Sequence, residues 1–161
     1  MKIAQIDVFQ VDLPYSGGVY RLSGGREYRS FDATIVRIRT DTGIEGWGES
    51  TPFGSTYIAS HARGVRAGID EIAPSLLGLD PRRVDRVNDA MDMALVGHAH
   101  AKTALDVACW DIFGKSVELP VCELLGGRTD AKLPVISSIY AGDPEDMRRR
   151  TLFPYTTLFR S

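Results

Sequence analysis

One segment of small and apolar residues at helical spacing constrains the fold more than any other feature of the chain. Between Ala101 and Lys115, apolar side chains recur at intervals of three and four residues, the period of one helix face. The residues on that face are Ala101, Ala104, Leu105, Ala108, Cys109 and Ile112. Because three of these six are alanines, another element can approach closely, and we expect a helix buried between its neighbours. Gly114 and Pro120 predict its end, since proline cannot continue a helix.

The N-terminal third of the chain predicts a sheet. Residues 2–13 alternate apolar and polar side chains, with a change of parity midway that indicates a bulge, and Pro14 should end this strand. A second strand is predicted over 26–40 and a third over 44–50. The turn between them is Asp41-Thr42-Gly43, where glycine suits a positive φ. We therefore expect a three-stranded antiparallel meander.

Loops and helices complete an α+β arrangement in which a helical bundle follows the sheet. Residues 15–25 hold four glycines without a sustained period and predict a flexible loop, and 51–56 predict a second loop. Helical spacing runs from Ile58 to Leu76. Asp80-Pro81 resembles an N-cap followed by proline at the first helical position, which predicts a further helix ending near Gly97.

The C-terminal segment changes character. Residues 132–140 predict another strand, and Asp143 an N-cap. The last eleven residues, 151–161, repeat Thr-Leu-Phe without helical or strand periodicity and resemble translated sequencing-adapter DNA. We treat 151–161 as a non-native tail and exclude it from fold reasoning.

Charge and composition exclude several classes of function. The net charge of −2 provides no basic field for nucleic acid, and no apolar run approaches the roughly 18 residues of a membrane span. We expect no nucleic-acid or membrane partner. Cys109 lies on the apolar helix face and is expected in the core. The N-terminal residues do not have the layout of a secretory signal, so we expect no disulfide and a cytoplasmic location.

The central helix also carries a family resemblance. The pattern A-x-D-x-A-x-W-D-x-x-G-K over 104–115, followed by Pro120 and Leu124-Leu125-Gly126-Gly127, resembles the N-terminal capping domain of the mandelate racemase/muconate lactonizing group of the enolase superfamily. That resemblance implies a capping domain over 1–131 and the start of a truncated TIM-type barrel over 132–150, including its first strand.

The resemblance also implies a chemistry. Enzymes of this group remove a proton next to a carboxylate, and Mg²⁺ stabilises the resulting enediolate. Their catalytic bases and metal ligands lie on later barrel strands, so the resemblance assigns no catalytic and no metal-binding residue to this chain. The implied partners are a small carboxylate substrate and the chain's own missing barrel, with Mg²⁺ as cofactor of the full-length parent. The parent is expected to be a homo-oligomer, and this fragment alone is expected to be inactive.

Two loops of the capping domain determine specificity in the family, and they match residues 15–25 and 50–57. We therefore expect Tyr15 and Tyr20 in the first loop, and Phe53 and Tyr57 in the second, to bind substrate. Aromatic rings on a closing loop exclude water and can lie against a cation. The alternative interpretation is that these are ordinary loop aromatics packed on their own domain.

The closer resemblance is to hydroxyproline dehydratases and to hydroxyproline-betaine or proline-type epimerases. The segments that carry it are 7–14, 54–57, 60–62 and 97–102. In that subgroup the tyrosine at the position of Tyr57 faces the substrate. The alternatives are the lid of a sugar-acid dehydratase or of a dipeptide epimerase, or a stand-alone, non-catalytic α+β binding domain.

Two histidines and one glutamate are further candidates for a functional role. His98 and His100 are two residues apart, which does not place them on one helix face as a metal-binding pair would require, so we expect them to be structural or exposed. His98 is expected at a helix start, where it could bond backbone groups. Glu49 ends a predicted strand and is expected to pair with a nearby lysine or arginine.

Overall fold

A computed structural model describes residues 1–54, 56–128, 132 and 143–149. The chain forms two compact units, one made of 1–20 with 27–128 and the other of 21–26 with 129–161. The predicted strand 132–140, apart from Lys132, and the tail 151–161 lie outside the described residues.

The sheet has the predicted antiparallel order. The strands are β1 (Ile3–Pro14), β2 (Tyr20–Leu22), β3 (Arg26–Tyr28), β4 (Ser30–Thr40) and β5 (Glu45–Ser50). Strands β1, β4 and β5 form the three-stranded meander, and β2 and β3 form a separate two-stranded sheet. Pro14 ends β1 and Gly43 has a φ of 85° in the tight turn, as predicted.

Three details of the strand prediction were wrong. The register of β1 against β4 shifts between Ile3 and Gln5, at the start of the strand instead of midway. The predicted loop 15–25 contains β2 and a short 3-10 turn, Ser23–Gly25. The predicted strand 26–40 is divided into β3 and β4 at Arg29. The positive φ of 73° at both Gly24 and Gly25 lets the chain turn back early, so β3 can pair with β2.

Four helices follow the sheet in the first unit. They are α1 (Ala62–Leu76), α2 (Val84–Ala94), α3 (Ala99–Val117) and the short α4 (Val121–Leu124). In the second unit, residues 144–149 are helical, and the Asp143 carboxylate accepts hydrogen bonds from the backbone N–H groups of Glu145 and Asp146, which confirms the predicted cap. No helix in the described ranges combines the length and apolar character of a membrane span.

Two predicted helix starts were wrong. Helix α1 begins at Ala62, after Ile58. Helix α2 begins at Val84, because the Asp80 carboxylate does not cap it but instead accepts hydrogen bonds from the backbone and guanidinium of Arg82. Those hydrogen bonds lower the pKa of Asp80 to about 2.

The core lies between one face of the sheet and the helices. The predicted stripe of α3 is confirmed in full, since each of its six residues is at most 1% exposed. Strand β5 packs directly on this stripe. A Cβ at Gly46 or Gly48 would collide with the carbonyl oxygen of Ala108 or Ala104, so only glycine allows this approach. Burial raises the pKa of Cys109 to about 12, which fits the predicted role as a core residue.

Candidate functional site

Aromatic side chains from several elements meet at one end of the three-stranded sheet. The end of β1 lies beside the start of β4 there, with Leu13 paired to Phe31. We call the six rings the aromatic cluster; they are Tyr15, Tyr20, Tyr28, Phe31, Phe53 and Tyr57. Aromatic rings from the end of the sheet and from both predicted loops therefore pack together.

Phe53 is the centre of the cluster. Its ring centroid lies 5.2 Å from those of Tyr20 and Phe31, 5.4 Å from that of Tyr28 and 5.3 Å from that of Tyr57. Edge-to-face and tilted pairs at these separations are the favoured arrangements of aromatic rings. The structure thus brings three of the four predicted binding residues, Tyr20, Phe53 and Tyr57, into contact around one ring.

Tyr57 is the member of the cluster that solvent reaches most. It is 68% exposed, and its ring is nearly perpendicular to that of Phe53, at an interplanar angle of 85°. Tyr15 contacts Tyr20 and Phe31 at centroid distances of 5.4 and 6.4 Å. Tyr57 therefore offers a free aromatic face, whereas Tyr15, Tyr20 and Phe53 are half-buried and support it.

An ion pair fixes helix α1 to the sheet next to the cluster. The Arg66 guanidinium donates to both carboxylate oxygens of Asp32, at 2.8 and 3.0 Å, and to the hydroxyl of Thr34 at 3.3 Å. The hydrogen bond from Arg66 lowers the pKa of Asp32 below its usual range. Bidentate arginine–carboxylate pairs restrict geometry as well as adding energy. Because Asp32 follows Phe31 directly, the pair holds the base of the cluster in place.

The three histidines line a second groove, and His61 also lines the groove beside Tyr28 and Phe31 of the aromatic cluster. The second groove lies between the N-terminal ends of α1 and α3, where it is lined by His61, His98 and His100. His61 caps α1, since its Nδ1 accepts a hydrogen bond from the N–H of Gly64 at 3.1 Å. His98 is exposed at the start of α3, as expected, where it adopts a left-handed φ of 53° and makes no side-chain cap.

The prediction for Glu49 was wrong. Glu49 is exposed, and its carboxylate accepts a hydrogen bond from the hydroxyl of Thr51. Among the residues that the structure describes, no lysine or arginine forms an ion pair with it. The alternation of β5 turns Glu49 to the outer face of the sheet, away from the buried residues Gly48 and Ser50.

The described acidic residues do not form a magnesium site. Across residues 1–54, 56–128, 132 and 143–149, no group of three histidine, cysteine, aspartate or glutamate side chains is arranged to hold a metal ion. Asp32, Asp7 and Asp80 are each used in an ion pair with arginine. We therefore derive no chemical step through a metal from these residues.

Two members of the cluster were missed by sequence reasoning, Tyr28 and Phe31. Both fall in the segment predicted as one continuous strand, whose residues were read only for sheet pairing. The available signal was their position directly after the glycine-rich loop. An aromatic residue that follows such a loop is well placed to pack against it, and Phe31 does contact Tyr15 and Tyr20. The contacts of Tyr28 and Phe31 with Phe53 of the second loop had no such signal.

The sequence of this chain matches a known protein family. Residues 27–126 match the model of the mandelate racemase/muconate lactonizing enzyme N-terminal domain. The chain is 45% identical, over 93% of its length, to cis-3-hydroxy-L-proline dehydratase of Roseibium aggregatum, and covers 41% of that protein.

Solved structures agree with that match. A structure from Aspergillus oryzae assigned to the same enzyme family is 77% identical with a TM-score of 0.85, and the match covers 96% of this chain and 41% of that one. A structure from Roseovarius nubinhibens, complexed with magnesium, is 56% identical with a TM-score of 0.88, and the match covers 99% of this chain and 43% of that one. The chain thus spans about two-fifths of the length of these relatives.

Proposed function

Since the chain belongs to the mandelate racemase/muconate lactonizing enzyme family of the enolase superfamily, we propose that it is the substrate-specificity lid of a racemase, epimerase or dehydratase. The parent enzyme would remove a proton next to the carboxylate of a small substrate. In this proposal residues 1–131 form the lid, residues 132–150 begin the barrel, and the present chain alone is inactive because the barrel bases are missing.

The observation that carries the proposal is the position of Tyr57. Its ring is exposed at the end of the second loop, yet its contact with Phe53 joins it to five further rings packed at the end of the sheet. An aromatic ring that is held by neighbouring rings on one side and exposed on the other is better suited to binding a ligand than to filling the core. An ordinary loop aromatic would instead turn its face into its own domain.

The chemistry of the cluster favours a cationic, ring-shaped substrate. Aromatic faces attract ammonium groups, and more strongly when water is excluded. A hydroxyproline or proline-betaine-like amino acid carries such a group beside its carboxylate. The 45% identity to a cis-3-hydroxy-L-proline dehydratase supports the same substrate class. A sugar acid, which is a polyol, would call for hydrogen-bonding groups in place of these rings.

The described residues contribute to the reaction by binding and closure. Tyr57 would lie against the substrate ring and its ammonium group, and Phe53 would hold Tyr57 at the correct angle. Tyr15 and Tyr20 would add apolar area that excludes water from the closed site. In the parent enzyme, residues of the barrel would bind Mg²⁺, and the ion would stabilise the negative charge on the substrate carboxylate.

Substitution of Tyr57 in the full-length parent tests this function. We expect Tyr57→Ala to lower kcat/KM by at least about tenfold, because a desolvated cation–π contact is worth about 2 kcal/mol or more. Tyr57→Phe keeps the ring and should stay within about threefold of the wild type. Steady-state kinetics on a proline-type substrate would measure both variants.

Magnesium affinity is the internal control for this experiment. Because the ligands would lie on the barrel, isothermal titration of Mg²⁺ should give the same affinity for Tyr57→Ala and the wild type. A kcat/KM that is unchanged in Tyr57→Ala would remove Tyr57 from the substrate contacts and with it the proposed role of the second loop.

A further inference from the structure

We propose that Tyr28 is a positioning residue that ties the second loop to strand β3 and thereby fixes the direction of Tyr57. Tyr28 lies outside both predicted loops, and neither the family match nor the sequence analysis gives it a role. The consequence for catalysis rests on the function proposed above, but the tie itself is a property of this chain and can be measured without any substrate.

The ring of Tyr28 bridges a fixed element and the loop. It stacks on Phe31 of β4, with centroids 5.9 Å apart and an interplanar angle of 21°. It also packs against Phe53 of the loop at a centroid distance of 5.4 Å. Phe31 is held in turn by its pairing with Leu13 on β1. The sheet therefore supports the back of the Tyr28 ring, and the loop rests on it.

The hydroxyl end of Tyr28 reaches the turn that leads to Tyr57. Its oxygen lies 3.5 Å from the hydroxyl of Thr56. A Cβ at Gly54 would lie 2.8 Å from Cζ of Tyr28 and would collide with its hydroxyl, so the tyrosine occupies the space beside the glycine. Gly54 also has a φ of 60°, which glycine adopts most readily.

That turn determines where Tyr57 points. The carbonyl of Gly54 accepts a hydrogen bond from the N–H of Tyr57 at 2.9 Å, and the N–H of Gly54 donates to the carbonyl of Pro52 at 3.0 Å. Tyr28 contacts both the residue before this turn, Phe53, and the residue just before Tyr57, Thr56. Loss of Tyr28 would release the turn and leave Tyr57 without a defined direction.

Tyr28 and Tyr57 differ in their exposure to solvent, and this difference indicates different roles. Tyr28 is half-buried, with one end of its ring against Gly54, whereas Tyr57 is 68% exposed. Tyr28 therefore acts on the substrate through Tyr57.

Hydrogen–deuterium exchange of the purified chain tests the tie directly. In Tyr28→Leu we expect the amides of Gly54 and Tyr57 to exchange at least about tenfold faster than in the wild type, since local opening no longer breaks ring contacts. The matched control is Tyr15→Leu, which removes another ring of the aromatic cluster, one that contacts Tyr20 and Phe31. In this variant the amides of Gly54 and Tyr57 should exchange at close to the wild-type rate. Unchanged exchange in a folded Tyr28→Leu protein would overturn the proposal.

Tyr28→Phe keeps the ring and covers the case in which Tyr28→Leu does not fold. Loss of the hydroxyl alone should accelerate exchange at Tyr57 by about twofold to threefold, as expected for one weak hydrogen bond. An unchanged rate there, with Tyr28→Leu unfolded, would also overturn the tie.

Kinetics of the full-length parent then separate this proposal from the proposed function. Faster exchange together with a raised KM in Tyr28→Leu supports both. Faster exchange with unchanged kcat/KM supports the tie but contradicts the claim that the direction of Tyr57 matters for catalysis. Unchanged exchange contradicts the tie but leaves the role of Tyr57 intact, because Tyr57→Ala tests that role independently.

Discussion

Gly48→Ala should destabilise the protein by at least about 3 kcal/mol, the upper end of the range for overpacked cores. A methyl group at this position would collide with the carbonyl oxygen of Ala104 and would lie 2.9 Å from its carbonyl carbon. These are backbone atoms of α3, so they cannot move aside as a flexible side chain would. Urea denaturation followed by circular dichroism would measure the loss.

Gly43→Ala is the matched control for this substitution. Gly43 has a φ of 85° and no atom within 4 Å of an added Cβ, so its substitution introduces backbone strain without a collision. We expect a loss of about 1 kcal/mol from that strain. If Gly48→Ala were no more destabilising than Gly43→Ala, the packing of β5 on α3 would be looser than the structure shows.

Leu105→Ala is expected to lower the free energy of unfolding by about 3 kcal/mol, within the range of about 2–5 kcal/mol for buried leucines. Leu105 is fully buried on the inner face of α3, among residues from the sheet and the other helices. Truncation leaves a cavity that helices fixed by close backbone contact cannot easily fill. The same denaturation experiment gives the value.

Val107→Ala provides the comparison on the same helix. Val107 is 44% exposed, so its truncation removes little buried area and should change stability by no more than about 0.5 kcal/mol. Equal losses for the two variants would mean that α3 is not oriented as described. A larger loss for Val107→Ala would place the core on the opposite face of the helix.

The parts of the fold that sequence reasoning predicted are those governed by local periodicity. The α3 stripe was predicted residue by residue because buried positions on a helix repeat every three or four residues. The Gly43 turn was predicted because its conformation depends on one glycine. The resemblance to the capping domain was carried by this same helix, and the family match over 27–126 confirms it.

The wrong predictions fall at residues whose local sequence pattern is outweighed by a contact with another residue. Asp80-Pro81 has the composition of a helix start, but Arg82 binds the Asp80 carboxylate and the helix begins at Val84. Tyr28 and Phe31 were read as strand residues, because the sequence does not show that Phe53, more than 20 residues away, would fold back onto them. Contacts of this kind depend on how the loops meet, which periodicity does not encode.

In the proposed function, residues 1–131 are the cover of an enzyme whose catalytic barrel follows them. The chain spans about two-fifths of its relatives, 41% in the case of the hydroxyproline dehydratase. Sequencing the source locus downstream of codon 150 tests the claim most directly. We predict that the reading frame continues through further barrel strands and encodes the catalytic bases that the resemblance implies there. A stop codon immediately after codon 150 would contradict the claim and favour a stand-alone binding domain.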